Sequence, residues 1–246
     1  ICACLVGSEM CIRDRVRIHT LMLSGHRRFP LGSADPAIRE KSLTMLCKAI
    51  DLASDLGVRN VQLAGYDVYY EPKTLASREY FIENLKRGVA YAAAKEVMLA
   101  IETMDDPFLN SLSKIKTIKD EIPSPWLQAY PDLGNLSAWP ENNVGRELEL
   151  GIANIVSVHL KDTQAVTAKS KGQFRDVPFG AGVVDFAGCL RTLKRLDYSG
   201  AFTIEMWTEK AADPIQEVKQ AKDFFDPLFV QAGFVQEPVA KTNVPS

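Results

Sequence analysis

The sequence lacks the features that identify membrane proteins and nucleic-acid-binding proteins. No apolar run reaches the roughly eighteen residues that a membrane-spanning helix needs, so no transmembrane segment and no membrane partner is expected. The 29 basic and 31 acidic residues give a net charge of −2. No basic face is evident, so nucleic acid is not expected as a partner.

A disulfide framework is also absent. The five cysteines show no framework spacing, which favours a reducing, cytoplasmic compartment. Cys47 and Cys189 lie on the apolar stripes of two predicted helices, where a thiol usually serves as a small core residue. A metal site at Cys2 and Cys4 is the alternative for the first residues. It is not favoured, because two close thiols and one more distant thiol, Cys11, make a poor ligand set.

The two ends of the chain differ from its middle. Residues 5–15 show neither a helical nor a strand period, and they resemble translated sequencing-adapter sequence. We therefore treat residues 1–15 as a non-native segment and residues 16–235 as the folded domain. Residues 236–246 are polar with two prolines and are expected to form a flexible tail.

Strand and helix patterns alternate six times along the domain, which implies a parallel sheet. Strands are predicted at 16–23 and 60–63, and at four later apolar runs described below. Asp35 and Pro36 start the first helix and Gly57 follows its end. Further helices are predicted at 77–95, 112–122 and 140–150 and after Asp185 and Asp213, with a long loop over 161–184.

This alternation fits either an open doubly wound sheet or a (β/α)8 TIM barrel. No Gly-x-Gly-x-x-Gly or Walker loop opens a helix, which weakens the nucleotide-binding sheet. Six units are two short of a barrel. We therefore expect a TIM barrel that lacks its first two strand–helix units upstream of residue 16, with two open sheet edges as the consequence.

Four consecutive predicted strands each end in a side chain that can bind a metal ion. These side chains are Glu102, Asp132, His159 and Glu205. The carboxyl ends of the strands in a parallel barrel meet at one rim, so all four can converge there. Oxygen and nitrogen donors without a thiolate suit one divalent metal ion, either Zn²⁺, Mn²⁺, Mg²⁺ or Co²⁺. Each residue alone is more often a solvated or hydrogen-bonded group, so the prediction depends on the set.

A pair of glutamates at such a site favours proton transfer. If the keto oxygen and a neighbouring hydroxyl oxygen of a sugar bind the metal, the proton on the hydroxyl-bearing carbon becomes acidic. One carboxylate can take that proton and another can return a proton on the opposite face. The result is epimerisation, and we hypothesise that Glu102 and Glu205 form the acid/base pair.

Five stretches resemble one known family: SGHRRFPLGS at 24–33, VQLAGYDVYY at 61–70, YPDLGNLSAW at 130–139, VHLKDT at 158–163 and VPFGAGVVDF at 177–186. Residues 16–234 are similar to the L-ribulose-5-phosphate 3-epimerase (L-xylulose-5-phosphate 3-epimerase) family of ascorbate and pentose catabolism, within the xylose isomerase-like TIM barrels. The resemblance implies epimerisation at C3 of L-xylulose 5-phosphate and a possible homodimer. It also implies the same four metal ligands and the same glutamate pair. The chain is expected to depart from the family by lacking its first two strand–helix units.

Several polar side chains near the predicted rim are candidate substrate contacts: His26, Arg27, Gln62, Tyr66, Lys161 and Arg175. The basic ones can bind a phosphate through forked donors, or they can be solvated with their stems packed on a neighbouring ring. The others can bind sugar hydroxyls or stabilise their own loop. Asp162 can orient the ring of His159 or pair with Lys161, and Trp139 and Trp207 are candidates for the pocket wall.

Three alternatives to an epimerase differ in what they require of the sequence. An aldose–ketose isomerase of the same superfamily generally uses two metal ions, and no second carboxylate cluster is visible in the sequence. A barrel DNA-repair endonuclease needs many histidines, and the chain has only three. An inactive truncated fragment, or a sugar-binding remnant, remains an alternative because the barrel is expected to be incomplete.

Overall fold

The computed structural model describes residues 18–235. The expectations for residues 1–15 and for the tail at 236–246 therefore lie outside the described part of the chain, as do the first two residues of the strand predicted at 16–23.

The described residues form eight strands and seven α-helices. The strands are β1 Thr20–Leu23, β2 Asn60–Ala64, β3 Met98–Glu102, β4 Leu127–Tyr130, β5 Ser157–Leu160, β6 Gln164–Thr167, β7 Ser170–Gln173 and β8 Ala201–Ile204. The helices are α1 Pro36–Asp55, α2 Leu75–Ala94, α3 Leu112–Glu121, α4 Leu133–Ser137, α5 Val144–Gly151, α6 Phe186–Arg195 and α7 Pro214–Gln231. Two 3-10 turns, Ser24–Arg27 and Ile152–Asn154, complete the described elements.

Six of the strands are parallel and follow each other in chain order. Strands β1 to β4 form one hydrogen-bonded sheet, and β5 pairs with β8. Parallel bridges from Ala129 to Ile155 and from Asp132 to His159 connect β4 to β5. The predicted parallel α/β arrangement is thus confirmed. Within residues 18–235, β1 and β8 each pair on one side only. The loss of two units upstream stays a prediction.

The register of the strands brings their carboxyl ends to the same level. Ala64 of β2 lies beside Glu102 of β3, and Glu102 lies beside Tyr130 of β4. The backbone nitrogen of Glu205 continues the ladder by donating to the carbonyl of Leu160. Side chains that leave the ends of β3, β4, β5 and β8 therefore face a common rim.

Local sequence signals explain how the first helix begins and ends. Asp35 caps α1 by accepting a 2.8 Å hydrogen bond from the backbone nitrogen of Ala37, and Pro36 occupies the first helical position. Gly57 has a φ of +69°, a conformation that glycine adopts without steric cost. The predicted boundaries of this helix are confirmed.

The core lies between the sheet and the helices. Leu46 and Ile50 of α1 and Leu85 of α2 are fully buried. A Cβ atom at Gly88 of α2 would lie only 2.3 Å from the Leu46 side chain, so glycine permits the close approach of these two helices.

Some sequence-based boundaries were wrong. The helix expected at 140–150 begins only at Val144, because Asn143 caps it through the backbone nitrogen of Arg146. The stretch 134–139, to which the sequence assigns no element, overlaps α4. The loop at 161–184 contains the antiparallel hairpin β6–β7. In the last helix, the apolar pattern predicts that Val218, Ala221 and either Phe224 or Phe225 are buried; Ala221 and Phe225 are buried, whereas Val218 is 51% exposed.

None of the helices in residues 18–235 is sufficiently long and apolar to cross a lipid bilayer.

Candidate metal centre and active site

The structure brings the four predicted ligands together. One donor atom from each of Glu102, Asp132, His159 and Glu205 lies within 4.8 Å of the donor atoms of the other three. Nδ1 of His159 is 2.8 Å from Oε1 of Glu102 and 3.8 Å from both Oδ2 of Asp132 and Oε2 of Glu205. The strand ends thus converge on a region small enough for one cation.

Neighbouring groups fix two of the carboxylates. Oε2 of Glu102 accepts a 2.7 Å hydrogen bond from Nε2 of Gln62 on the adjacent strand β2. Oδ1 of Asp132 caps helix α4 by accepting a 2.6 Å hydrogen bond from the backbone nitrogen of Asn135. Each carboxylate therefore uses one oxygen to hold its position and directs the other toward the cluster.

Lys161 contributes a positive charge beside the cluster. Its Nζ is 2.9 Å from Oε2 of Glu205 and 3.2 Å from Oδ2 of Asp132, and its side chain is buried. In the protonation states that metal ligation requires, with His159 neutral and all three carboxylates ionised, the cluster and this ammonium group carry a net charge of −2. That charge matches a divalent cation.

Burial and mutual charge shift the acid–base properties of the cluster. Burial raises the pKa of Asp132 to about 8, although the ammonium of Lys161 opposes this rise. Burial alone would lower the pKa of His159, but its hydrogen bond with Glu102 and the surrounding negative charges raise it. Burial would likewise lower the pKa of Lys161, and the nearby carboxylates raise it instead. Concentrated negative charge in a desolvated site is what a metal ion compensates.

One further observation indicates that these donor atoms can bind a divalent cation. Oδ2 of Asp132 and Oε2 of Glu205 are buried, and neither accepts a well-directed hydrogen bond from the described residues. The one ammonium group of Lys161 contacts both oxygens and offsets only part of the charge of the three carboxylates, so a bound cation would lower the cost of burying them. Imidazole nitrogen with carboxylate oxygens suits Mn²⁺, Mg²⁺, Zn²⁺ or Co²⁺.

A cavity of about 400 Å³ opens directly onto the cluster. Glu102, Glu205 and Lys161 form part of its wall near the cluster. Arg27 and Arg175 also line the cavity. The cavity has the size and the polar lining of a small-ligand site.

The remaining candidate substrate contacts are placed differently. Gln62 is buried and reaches the site through Glu102. The hydroxyl of Tyr66 donates to Asp105, which lines the cavity. The ring of His26 is buried outside the cavity lining, with Nε2 3.3 Å from the carbonyl of Ser42. Substrate contact by these residues stays a prediction.

Asp162 does not have either of the expected roles. Its carboxylate accepts hydrogen bonds from the backbone nitrogens of Thr163, Gly180, Gly182 and Val184, at 2.8–3.3 Å. It therefore anchors the loop that returns from the hairpin, instead of orienting His159 or pairing with Lys161. Of the two tryptophans predicted for the pocket wall, Trp207 lines the cavity, whereas Trp139 packs on Phe174 with 6.0 Å between the ring centroids.

Asn135 is a site residue that sequence reasoning missed. It lines the cavity and is only 1% exposed. Its Nδ2 donates to the carbonyl of Thr103 at 2.8 Å, which fixes the orientation of the amide. Its Oδ1 is then a buried acceptor for which the described residues provide no donor. The sequence signal that could have identified Asn135 is its position three residues after Asp132, inside the YPDLGN stretch.

Parallel strands with a cluster of potential metal ligands at their carboxyl ends are typical of the active site of a TIM barrel. A family model described as a xylose isomerase-like TIM barrel matches residues 8–228. The Escherichia coli (strain K12) relative named "Putative L-ribulose-5-phosphate 3-epimerase SgbU" is 54% identical over 224 residues, which cover 91% of this chain and 78% of the relative.

A second relative is L-ribulose-5-phosphate 3-epimerase UlaE from Shigella boydii serotype 18. It is 48% identical over 225 residues, which cover 92% of this chain and 77% of the relative. A crystal structure of D-psicose 3-epimerase in the presence of D-fructose superposes with a TM-score of 0.74. That match covers 94% of this chain and 84% of the other at 14% identity, so it shows the fold alone.

The chain belongs to the L-ribulose-5-phosphate 3-epimerase family of xylose isomerase-like TIM barrels. It is an enzyme of the isomerase class.

Proposed function

We propose that this protein is a metal-dependent 3-epimerase that interconverts L-xylulose 5-phosphate and L-ribulose 5-phosphate. The observation that carries the proposal is the position of Glu102 and Glu205, two carboxylates that line one cavity and share one cluster with Asp132 and His159. The names of the relatives support the choice of substrate.

Glu102, Asp132, His159 and Glu205 would hold one divalent metal ion, which supplies positive charge to stabilise the negative charge that develops on two neighbouring sugar oxygens. In the first half-reaction, one glutamate removes the C3 proton from one face of the sugar. The other glutamate returns a proton on the opposite face, so the carbon inverts and the ketone is retained. The reaction is symmetrical, so each glutamate is the base for one epimer and the acid for the other.

Other side chains of the chain support these transfers. Gln62 holds Glu102 through a 2.7 Å hydrogen bond, which restricts the carboxylate to one orientation. Lys161 lies 2.9 Å from Glu205 and borders the cavity. Its ammonium group therefore favours the charged form of that glutamate and of the sugar oxygens. The aromatic ring of Trp207 forms part of the cavity wall, and Nζ of Lys161 lies 5.6 Å from its centroid.

We further propose a cytoplasmic enzyme that acts on a small phosphorylated sugar in ascorbate or pentose catabolism, with a homodimer as its assembly. Within residues 18–235 a single group of potential metal ligands is found. One cluster supports an epimerase over a two-metal aldose–ketose isomerase.

Metal analysis followed by an epimerisation assay tests the proposal. The purified chain is expected to contain close to one divalent ion and to convert L-xylulose 5-phosphate to L-ribulose 5-phosphate. Conversion should stop after chelation and return when a metal ion is added. A chain that folds and retains metal but leaves this sugar unchanged would contradict the proposed activity.

A further inference from the structure

A buried tyrosine packs against the histidine of the metal cluster. Tyr130, the last residue of β4, is fully buried, and its ring packs edge-on against the ring of His159 with 4.6 Å between the centroids. Its hydroxyl forms a 3.0 Å hydrogen bond with Oγ1 of Thr203 on β8. The proton transfers proposed above use neither of these contacts.

The ring of His159 needs contacts that orient it. A ligating imidazole must present one nitrogen to the ion, but the χ2 angle of a histidine has only a broad preference of its own. The 2.8 Å contact between Nδ1 and Oε1 of Glu102 holds the nitrogen at the cluster. The contact with Tyr130, with 61° between the two ring planes, restricts the tilt of the imidazole. The two contacts together set the direction of Nδ1.

The ring of Tyr130 must itself be fixed, because χ2 of tyrosine is equally broad. The hydrogen bond with Thr203 holds the far end of the ring. It also satisfies the only polar group of a fully buried side chain, which would be costly to leave without a partner. Thr203 therefore fixes Tyr130, and Tyr130 in turn fixes the ring of His159.

The same hydrogen bond connects two strands that are not neighbours. Strand β5 lies between β4 and β8, and Thr203 is the ladder partner of His159. Tyr130 and Thr203 each lie two residues before a potential ligand, Asp132 and Glu205 respectively. Side chains two residues apart in extended backbone point to the same face, so the hydrogen bond lies on the face that carries the cluster.

Strand β8 needs such a connection because it pairs on one side only within residues 18–235. Its ladder with β5 spans four residue pairs, and the backbone nitrogen of Glu205 adds one hydrogen bond to the carbonyl of Leu160. A short strand that is held on one side opens more readily than a central strand. The hydrogen bond of Tyr130 ties β8 to β4, which limits the movement of Glu205 relative to Asp132.

We infer that Tyr130 is a positioning residue for the metal centre, which acts through its ring on His159 and through its hydroxyl on Thr203. Tyr130 is not among the residues that line the cavity, so no contact with the sugar is assigned to it. The inference rests on the metal ion of the proposed function, and it concerns how tightly the ligands hold that ion. Ligands that are already oriented bind an ion more tightly than ligands that must be ordered on binding.

The affinity of the metal-free protein for Mn²⁺ tests the inference without a substrate. Tyr130→Phe keeps the ring and removes only the hydroxyl, so the Kd should rise about tenfold. Thr203→Val removes the other partner and should raise the Kd by a similar factor. The double variant should also lose about tenfold, because both substitutions break the same hydrogen bond. Losses that multiply in the double variant would overturn the inference, since the two hydroxyls would then act separately.

Tyr198→Phe is the matched control. Tyr198 is also buried, and its hydroxyl donates a 2.8 Å hydrogen bond to the carbonyl of Ala201, at the start of β8. This variant should lose stability as Tyr130→Phe does, but its Kd for Mn²⁺ should stay within about twofold of the unsubstituted value. Equal losses of affinity in the two variants would indicate a purely structural role and would overturn the inference, as would an unchanged Kd in Tyr130→Phe. If thermal melting shows that Tyr130→Phe does not fold, Thr203→Val gives the same comparison.

A second measurement follows the histidine ring itself. The chain has three histidines, so NMR spectra of protein with isotope-labelled histidine rings contain few signals to assign. In metal-free Tyr130→Phe the signal of His159 should broaden, whereas those of His19 and His26 should not change. Tyr198→Phe should leave all three signals unchanged. A His159 signal as sharp in Tyr130→Phe as in the unsubstituted protein would contradict the inference.

These measurements separate the inference from the proposed activity. Weaker metal binding and a broadened His159 signal in Tyr130→Phe support the inference even if no sugar is epimerised, in which case only the proposed activity fails. Epimerisation by the unsubstituted protein together with an unchanged Kd in Tyr130→Phe would refute the inference and leave the proposed activity in place.

Discussion

Gln62 and Glu102, on neighbouring strands β2 and β3, are joined by a 2.7 Å hydrogen bond from the amide nitrogen to Oε2. The other oxygen of Glu102 lies 2.8 Å from His159. Both oxygens of this glutamate are therefore oriented before any ligand enters the cavity.

Removing the amide of Gln62 should weaken catalysis without unfolding the protein. Gln62→Leu keeps the size of the side chain but removes the hydrogen bond that orients Oε2 of Glu102, so kcat should fall about 10–100-fold. Steady-state kinetics with L-ribulose 5-phosphate measure the change, and Gln220→Leu, an exposed position on α7, is the control. An unchanged kcat in Gln62→Leu would show that Glu102 needs no such restraint.

The group of four potential metal ligands could be predicted from the sequence because its members share one simple pattern. Glu102, Asp132, His159 and Glu205 each follow an apolar run, and the parallel register then places them at one rim. The sheet order followed from the same alternation. These features are local in sequence, or follow from the rules for connecting parallel strands.

Contacts between distant backbone segments could not be predicted in the same way. Asp162 binds amides 18 to 22 residues further along the chain, which no periodicity reveals. The orientation of the Asn135 amide is fixed by its hydrogen bond to the carbonyl of Thr103, 32 residues away in the sequence. Val218 lies on an apolar stripe, yet it is exposed because no described element covers that part of α7.

Metal removal should destabilise the folded protein. The buried Glu102 and Asp132 and the partly buried Glu205 lose their compensating cation, so EDTA should lower the melting temperature, and added Mn²⁺ or Zn²⁺ should restore it. At a free metal concentration 100 times the Kd, the stabilisation is about 2.7 kcal/mol. In Asp132→Asn the effect of EDTA should be much smaller. Identical melting curves for the metal-loaded and EDTA-treated protein would contradict a cation at this cluster.

The buried ring of His26 should make stability depend on pH. Burial lowers its pKa from 6.5 to about 4, although the carbonyl of Ser42 partly opposes the shift. The unfolded chain therefore binds this proton more readily than the folded protein does. Stability should be full above about pH 6.5 and should fall as the pH drops through the folded value, by up to about 3 kcal/mol.

Urea unfolding at several pH values tests this contribution of His26. His26→Gln has no titrating ring, so its free energy of unfolding should fall less than that of the unsubstituted protein between pH 7 and pH 4. Parallel curves for the two proteins would mean that the ring is accessible to protons in the folded state.

Asp162 should be essential for the loop at 177–184. Four backbone amides donate to its carboxylate, and Asp162→Ala would leave them without that acceptor. The free energy of unfolding should fall by about 3 kcal/mol. Asp162→Asn should lose a similar amount, because its NH2 group would face backbone donors. The exposed Asp223→Ala on α7 should lie within about 0.5 kcal/mol of the unsubstituted protein.

Hydrogen exchange at C3 tests the account most directly. When L-xylulose 5-phosphate is converted in D₂O, the L-ribulose 5-phosphate formed should carry deuterium at C3, because one glutamate removes the original proton and the other delivers one from solvent. Glu102→Gln and Glu205→Gln, each confirmed to retain metal, should each lose wash-in of deuterium from one starting epimer. Product that retains the original C3 proton would contradict proton transfer between these two glutamates.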